Sequence, residues 1–187
     1  LQGRGGDDTI DGPGLLIGGD GDDLLQGVAL VGASQEVVAG KDELYGGAEQ
    51  DDLDGGTQDD YLQGGQGPDR MAGGDGFDEV DYANRTNPIV VRLTDGARDG
   101  EGVTGSGSNV SADCVGLFCD EVRPDNEKIV GGSGDDTLDG DSFDQTLVGG
   151  PGDDALTGHA GIDRFEGGSG KDDARDGDFQ YSKPDAT

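Results

Sequence analysis

An all-β solenoid, with short strands and tight turns alternating along the chain, follows from two features of the sequence. The first is a fixed period: residues 37–81 divide into five consecutive nine-residue units, VVAGKDELY, GGAEQDDLD, GGTQDDYLQ, GGQGPDRMA and GGDGFDEVD, with nothing left over. The second is what the units share. Each has a glycine-rich start, an aspartate in the sixth place (Asp42, Asp51, Asp60, Asp69, Asp78) and a large apolar residue in the eighth (Leu44, Leu53, Leu62, Met71, Val80). A short repeat of this kind is built by stacking copies of one unit.

Each unit has two physical halves. The first six residues carry glycines, which take positive φ and let the backbone turn tightly, and they end in an acid. The last three alternate polar, apolar, polar, the two-residue period of a strand with one side chain pointing inward. Nine residues therefore give one turn and one strand, and two units complete a coil. Successive turns fall on alternate edges, so Asp42 should neighbour Asp60, Asp60 should neighbour Asp78, and Asp51 should neighbour Asp69. Two carboxylates roughly 5 Å apart, the spacing of neighbouring parallel strands, repel by about 3 kcal/mol at an effective dielectric near 20. A cation between them removes that cost. Carboxylates and turn carbonyls are hard oxygen ligands in an irregular cage, which suits calcium better than magnesium. Zinc prefers nitrogen and sulfur, and the chain has 1 His and 2 Cys.

The pattern GGxGxD followed by x-apolar-x resembles the RTX, or haemolysin-type, calcium-binding repeat. The resemblance implies a right-handed parallel β-roll with several calcium ions in its turns, held by the repeat aspartates and by carbonyls of the glycine-rich half. Asp20 and Asp75, third in their units, could each add an oxygen.

Composition agrees with a stack that depends on metal. The chain has 187 residues, of which 40 are Gly, only 5% are aromatic, and the net charge is −30. Such a composition alone reads as disordered. The inward apolar positions make a thin core, so metal binding is expected to be coupled to folding. With 12 Lys and Arg against 42 Asp and Glu, nucleic acid is an unsuitable partner. No run of 18 apolar residues is present, so no helical membrane span is expected. The chain starts in mid-pattern at Leu1, which reads as a fragment or processed piece. Weak calcium sites favour a secreted or cell-surface setting, where calcium is plentiful.

In chain order, residues 1–81 form the first repeat block. It opens with GRGGDDTID, where Asp8 and Ile10 take the key places, and GGDGDDLLQ, where Asp23 and Leu25 take them. Two inserts, GPGLLI and GVALVGASQE, each contain a short apolar run. Each insert is either a rung without its own aspartate or a surface loop. If both are rungs, Asp8 pairs with Asp23 and Asp23 with Asp42.

Residues 82–130 lack the nonapeptide. Ile89 to Leu93, IVVRL, alternates like a strand with one buried face, and Gly96 to Ser111 reads as an exposed loop. The segment resembles the non-repeat rung found between repeat blocks in this family, where an E-x-I/V stretch, here Glu127 to Val130, leads back into GGxGxD. One continuous roll with a long excursion is expected, with a linker between two rolls as the alternative. Residues 131–175 are the second block, GGSGDDTLD, GDSFDQTLV, GGPGDDALT, GHAGIDRFE and GGSGKDDAR, with Asp136, Gln145, Asp154, Asp163 and Asp172 in the sixth place. Asp136 should pair with Asp154, and Asp154 with Asp172. Gln145 is neutral, so the site it would share with Asp163 should be weak or empty. Residues 176–187 are a tail in which Phe179 and Tyr181 could cover the last rung.

Other chemistry is thinly represented. Cys114 and Cys119 read as a small-loop disulfide in an oxidising compartment, with two free thiols as the alternative. His159 reads as a solvated turn residue. Asn84-Arg85-Thr86 and Asn109-Val110-Ser111 match the glycosylation acceptor pattern, which is unsurprising in so polar a chain. The acids recur in one environment rather than in the unlike pair that acid–base catalysis requires, and the one His, in a repeat turn, belongs to no evident Ser-His-Asp or Cys-His arrangement, so no enzyme is expected within these residues. Three readings result: a calcium-dependent structural module that folds on binding calcium, a self-assembling filament or adhesin unit, and the non-catalytic part of a secreted hydrolase or lyase.

Overall fold

The computed structural model describes residues 1–21, 23–27, 29–31, 36–38, 41–67, 69–93, 121–122, 124–175 and 179–181. Cys114, Cys119, the loop Gly96 to Ser111 and the acceptor at Asn109 lie outside these residues. Eight parallel strands form one long sheet in sequence order: Leu15–Asp20, Glu43–Ala48, Tyr61–Gln66, Glu79–Asp81, Lys128–Val130, Thr146–Pro151, Arg164–Ser169 and Phe179–Tyr181. The alternate strands of the chain form two shorter parallel sheets. One holds Thr9–Asp11, Leu24–Gln26, Asp52–Thr57, Arg70–Asp75 and Glu121–Val122, and the other Val90–Arg92, Thr137–Asp139, Ala155–Thr157 and Asp173–Arg175. This is a parallel β-roll with a coil of two nonapeptides.

The eighth-place residues line its interior. Leu25, Leu44, Leu53, Leu62, Met71, Val80, Leu138, Leu147, Leu156 and Phe165 are buried, stacked rung on rung through Leu44↔Leu62 and Leu53↔Met71. Ala174, the smallest of them, is only partly buried. Outside the repeats, Leu16 stands opposite Leu44, and Ile129 lies between Val80 and Leu147.

Many strands run longer than the three residues foreseen. Glu43–Ala48, Asp52–Thr57, Tyr61–Gln66 and Arg70–Asp75 extend through the glycine pair to the third place of the following unit, leaving only places four to six as the turn. The glycines are required by contact rather than by the turn itself. At Gly65, φ is 113° and a Cβ would run into the Gly47 carbonyl oxygen of the rung before. The positive φ of the turn falls instead on the fourth place, where Glu49 and Gln58 both sit at φ 81°.

The two inserts behave differently. Leu15–Asp20 is a rung of the long sheet, whereas Ala29–Val31 pairs antiparallel with Glu36–Val38 as a hairpin outside the stack. The hairpin therefore does not advance the coil, and Asp23 meets Asp51, not Asp42: Leu24 is in register with Asp52. On either side of residues 94–120 the order of pairing is inverted. Val90–Arg92 pairs forward with Thr137–Asp139, while the later Glu121–Val122 pairs back onto Arg70–Asp75. Ile89, Val91 and Leu93 are buried, as the alternation of IVVRL requires. The long sheet passes directly from Glu79–Asp81 to Lys128–Val130. At the N-terminal end Gln2 and Gly5 bridge to Ile17 and Asp20, so the first residues lie along the Leu15–Asp20 strand.

A side chain in left-handed backbone costs about 1–2 kcal/mol, and the extra chain entropy of glycine returns part of that. Glu49→Gly and Gln58→Gly should therefore each stabilise the calcium-loaded chain by about 0.5–1 kcal/mol, read as a higher melting temperature. Gly65→Ala should instead abolish cooperative melting.

Candidate metal centres

Each repeat aspartate closes the turn that precedes a strand, and the stack brings these aspartates into rows. Along the long sheet, Asp42 N–H donates to Asp60 Oδ1 at 2.8 Å, and Asp60 N–H to Asp78 Oδ1 at 2.8 Å. On the opposite edge, Asp8 N–H donates to Asp23 Oδ1 (2.8 Å), Asp23 N–H to Asp51 Oδ1 (3.0 Å) and Asp51 N–H to Asp69 Oδ1 (3.0 Å). In the second block, Asp136 N–H donates to Asp154 Oδ1 (2.8 Å), Asp154 N–H to Asp172 Oδ1 (3.2 Å), and Gln145 N–H to Asp163 Oδ1 (2.9 Å). The row thus consists of adjacent-rung carboxylates tied together by one backbone hydrogen bond each.

One oxygen of each carboxylate is so occupied. The other faces inward. Asp23, Asp42, Asp60, Asp78 and Asp154 are each at most 3% exposed, and their Oδ2 atoms are buried with no hydrogen-bond partner. A buried acceptor left in this state costs about 1–3 kcal/mol, and more when charged. Its surroundings are made of oxygen. A Cβ built on Gly55 would lie 2.6 Å from Asp60 Oδ2 and 2.7 Å from the Gly73 carbonyl oxygen, so the space that glycine leaves open is lined by a carboxylate and a carbonyl of neighbouring rungs. The same pair of oxygen types surrounds Gly18, Gly27, Gly46 and Gly149. Among the described residues no three His, Cys, Asp or Glu side chains converge on a point. A cation here would be shared between carboxylates and backbone carbonyls, the hard, irregular donor set that fits calcium.

The electrostatics point the same way. Burial, opposed by the hydrogen bond from the Asp42 amide and increased by Asp78, Asp42 and Asp59, pushes the Asp60 carboxyl up to about 7. Burial likewise pushes Asp78 and Asp154 up to about 6, and raises Asp42 and Asp136 above the ordinary carboxylate range. Asp136 also accepts the N–H of Gly132 on its Oδ2 at 2.7 Å.

Not every sequence candidate joins a row in the same way. Asp163 is fully buried beside Gln145, Asp172 and Asp8 are only half-buried at the two ends, and Asp20 and Asp75 lie exposed at the ends of their strands. Two kinds of residue were missed. Glu127 occupies the place before Lys128–Val130 that aspartate holds elsewhere, and its Oε2 accepts the Asp78 N–H at 2.9 Å. Its signal was the E-x-I stretch. The fifth-place acids form an outer ladder running in the opposite sense: Asp59 accepts from Phe77 N–H, Asp135 from Asp153, Asp144 from Ile162, and Asp153 from Lys171. Their signal was the DD doublet. His159, at φ 67°, pairs with Asp139 at 2.6 Å.

A parallel roll whose turns present rows of buried carboxylates against glycine carbonyls is a calcium-binding solenoid. The model of the RTX calcium-binding nonapeptide repeat matches residues 1–12, 15–27, 39–62, 45–80, 124–142 and 139–174, more than half of the chain, and the chain belongs to that family. Its repeats bind calcium, several ions in each repeat region. A comparison with curated proteins finds no match. Among the described residues no helix is long and apolar enough to cross a membrane.

Because folding raises these carboxyl pKa values, the metal-free roll gains stability from them below about pH 3.8 and loses it as pH rises through 6 to 7. In excess chelator, the strand signal in circular dichroism should therefore be stronger at pH 4.5 than at pH 8. With calcium the dependence should reverse, since protons then compete for the same oxygens.

Proposed function

We propose that the chain is a calcium-dependent structural module of a secreted or cell-surface protein, and that its roll folds when calcium binds. The observation that carries this reading is the row of buried carboxylate oxygens without partners at Asp23, Asp42, Asp60, Asp78 and Asp154. Bound calcium supplies the positive charge that lets these groups stay ionised in the fold. The remaining work falls to the chain. The sixth-place aspartates Asp8, Asp23, Asp42, Asp51, Asp60, Asp69, Asp78, Asp136, Asp154, Asp163 and Asp172 offer carboxylate oxygens. First-place glycines such as Gly73 offer carbonyls, and the amide ladder sets the spacing between rungs.

Without a cation the carboxylates oppose burial and repel one another, and the apolar interior, with one inward side chain per nonapeptide, is thin. Folding is thereby delayed until calcium is abundant, which fits release into a calcium-rich exterior. The rows run through both repeat blocks, and the pairing of Glu79–Asp81 with Lys128–Val130 supports a single rod rather than two rolls on a linker. We assign no catalytic role to these residues. Any catalytic or adhesive activity would belong to other parts of a longer chain.

End-to-end association is a second reading with one observation in its favour. Thr9–Asp11 is outermost in its sheet among the described residues, and such a strand can template pairing with another chain. Light scattering that grows on adding calcium would support it, and a stable monomer would count against it.

The principal test is circular dichroism with calcium and with excess chelator at pH 7.5. We expect a strand spectrum only with calcium, and a chain equally rich in strand in chelator sinks coupled folding. A second measurement separates metal binding from packing. Asp60→Asn removes the charge of a buried carboxylate that accepts the Asp42 amide, so calorimetric titration should show fewer bound ions, whereas the metal-free chain should become more, not less, folded at pH 7.5.

A further inference from the structure

The unit GDSFDQTLV departs from the repeat twice, and the structure brings the two departures into contact. Gln145 stands in the sixth place, and Asp141 stands in the second, where the other units of this block carry Gly132, Gly150, His159 and Gly168. Gln145 keeps the backbone role of the aspartate it replaces, donating its N–H to Asp163 Oδ1 at 2.9 Å. It also keeps the position: its Oε1 lies 2.7 Å from where a Cβ of Gly140 would stand, as Asp60 Oδ2 lies 2.6 Å from that of Gly55.

The inward oxygen accepts a second-place N–H, as Asp136 Oδ2 accepts that of Gly132 at 2.7 Å; what differs is the amide N–H₂ beside it. Gln145 Oε1 accepts the Asp141 N–H at 3.1 Å, and Gln145 Nε2 donates to Asp141 Oδ1 at 2.5 Å. Asp141 Oδ1 also accepts the Phe143 N–H at 2.7 Å. Both side chains are buried, Gln145 at 2% and Asp141 at 8% exposure, and neither has a buried atom lacking a partner. Asp78 and Asp154, by contrast, each retain one.

We infer that this rung is a metal-independent clasp, in which the Gln145 amide takes the place of a calcium ion and neutralises the burial of Asp141 by hydrogen bonds. Gln145 Nε2 is bonded to the Asp141 Oδ1 that an ion between these side chains would need, and an amide N–H₂ offers a cation no acceptor, so the clasp and an ion exclude each other. On this edge the Glu127–Gln145 and Gln145–Asp163 intervals hold no calcium, while on the opposite edge Asp136, Asp154 and Asp172 form an unbroken row. The second block is then cross-linked by metal along one edge and by amide hydrogen bonds along the other. This inference rests on the calcium reading above and sharpens it to a statement about which turns bind.

The test counts calcium per chain, by elemental analysis of the desalted protein and by calorimetric titration, in wild type, Asp141→Asn and the double variant Asp141→Gly with Gln145→Asp. The Asp141→Asn variant keeps the acceptor oxygen of the clasp but loses the charge, so its count should equal that of wild type. The double variant restores glycine in the second place and aspartate in the sixth, beside Asp163 and Glu127, and should gain at least one ion. A loss of one ion in Asp141→Asn would make Asp141 a ligand and overturn the clasp. An unchanged count in a double variant with a wild-type strand spectrum would also overturn it. Should the double variant not fold, Asp141→Asn still decides. Wild type that binds no calcium would defeat the proposed function and this inference with it, an outcome distinct from either of the others.

Discussion

The roll is organised by the enforced burial of one carboxylate per turn. A nine-residue unit has to reverse direction and return to the next rung, one strand spacing away, and the first-place glycine allows this because it has no Cβ. The same missing Cβ opens a space into which the sixth-place aspartate projects. The glycine that makes close stacking possible therefore also walls the acid away from water. Stack geometry and metal chemistry are two aspects of one steric fact, seen at Gly55, Asp60 and Gly73.

This arrangement explains why the interior can be so slender. Two facing files of Leu, Ile, Met, Val and Phe, one from each sheet, are all that two nonapeptide faces can enclose, because the faces are joined by turns of only three residues. A compact domain would add layers of apolar side chains, but a solenoid with so short a coil has no room for a second layer. Cohesion must then come from the edges, where the inner ladder of sixth-place amides and the outer ladder of fifth-place acids run in opposite senses. Glycine at places one and two and acid at places five and six are the sequence record of that division: backbone contact inside the corner, charge outside and beneath it.

How far this was legible depended on whether a residue's role was set by its own unit. Places six and eight are local, so Asp42, Asp51, Asp60, Asp69, Asp78 and the large apolar residues two places after them could be assigned by spacing alone, as could the adjacency of Asp42 to Asp60 and of Asp136 to Asp154. The inserts were not legible, because Leu15–Ile17 and Val28–Val31 are both short apolar runs and only the register of the whole stack distinguishes a rung from a hairpin. That ambiguity carried through to the partner of Asp23, which is Asp51. Glu127 was hidden because the period is interrupted before it, and the return strand Glu121–Val122 because two residues carry no periodicity. The Asp141–Gln145 contact could not be read from a pattern that scores each place separately. Two irregularities in one unit look like decay of the repeat, and only their geometry shows that they compensate.

The rows also set how the molecule responds to damage. Each inner aspartate belongs to two intervals: the Asp60 carboxylate accepts the amide of Asp42 and the Asp60 amide is donated to Asp78, so losing the carboxylate unties one interval and leaves the hydrogen bond of the other in place. Asp8 and Asp172 belong to one interval each and are only half-buried. In a one-dimensional stack of this kind, stability grows with the number of interfaces rather than the number of units. The ends fray first and the middle rungs are the most cooperative. The interruption between the blocks would be the weak interface in such a stack were its place in the long sheet left vacant. Lys128–Val130 fills that place, with Ile129 between Val80 and Leu147 and Glu127 beneath Asp78, so both the apolar file and the acidic edge pass through the point where the nonapeptide period breaks.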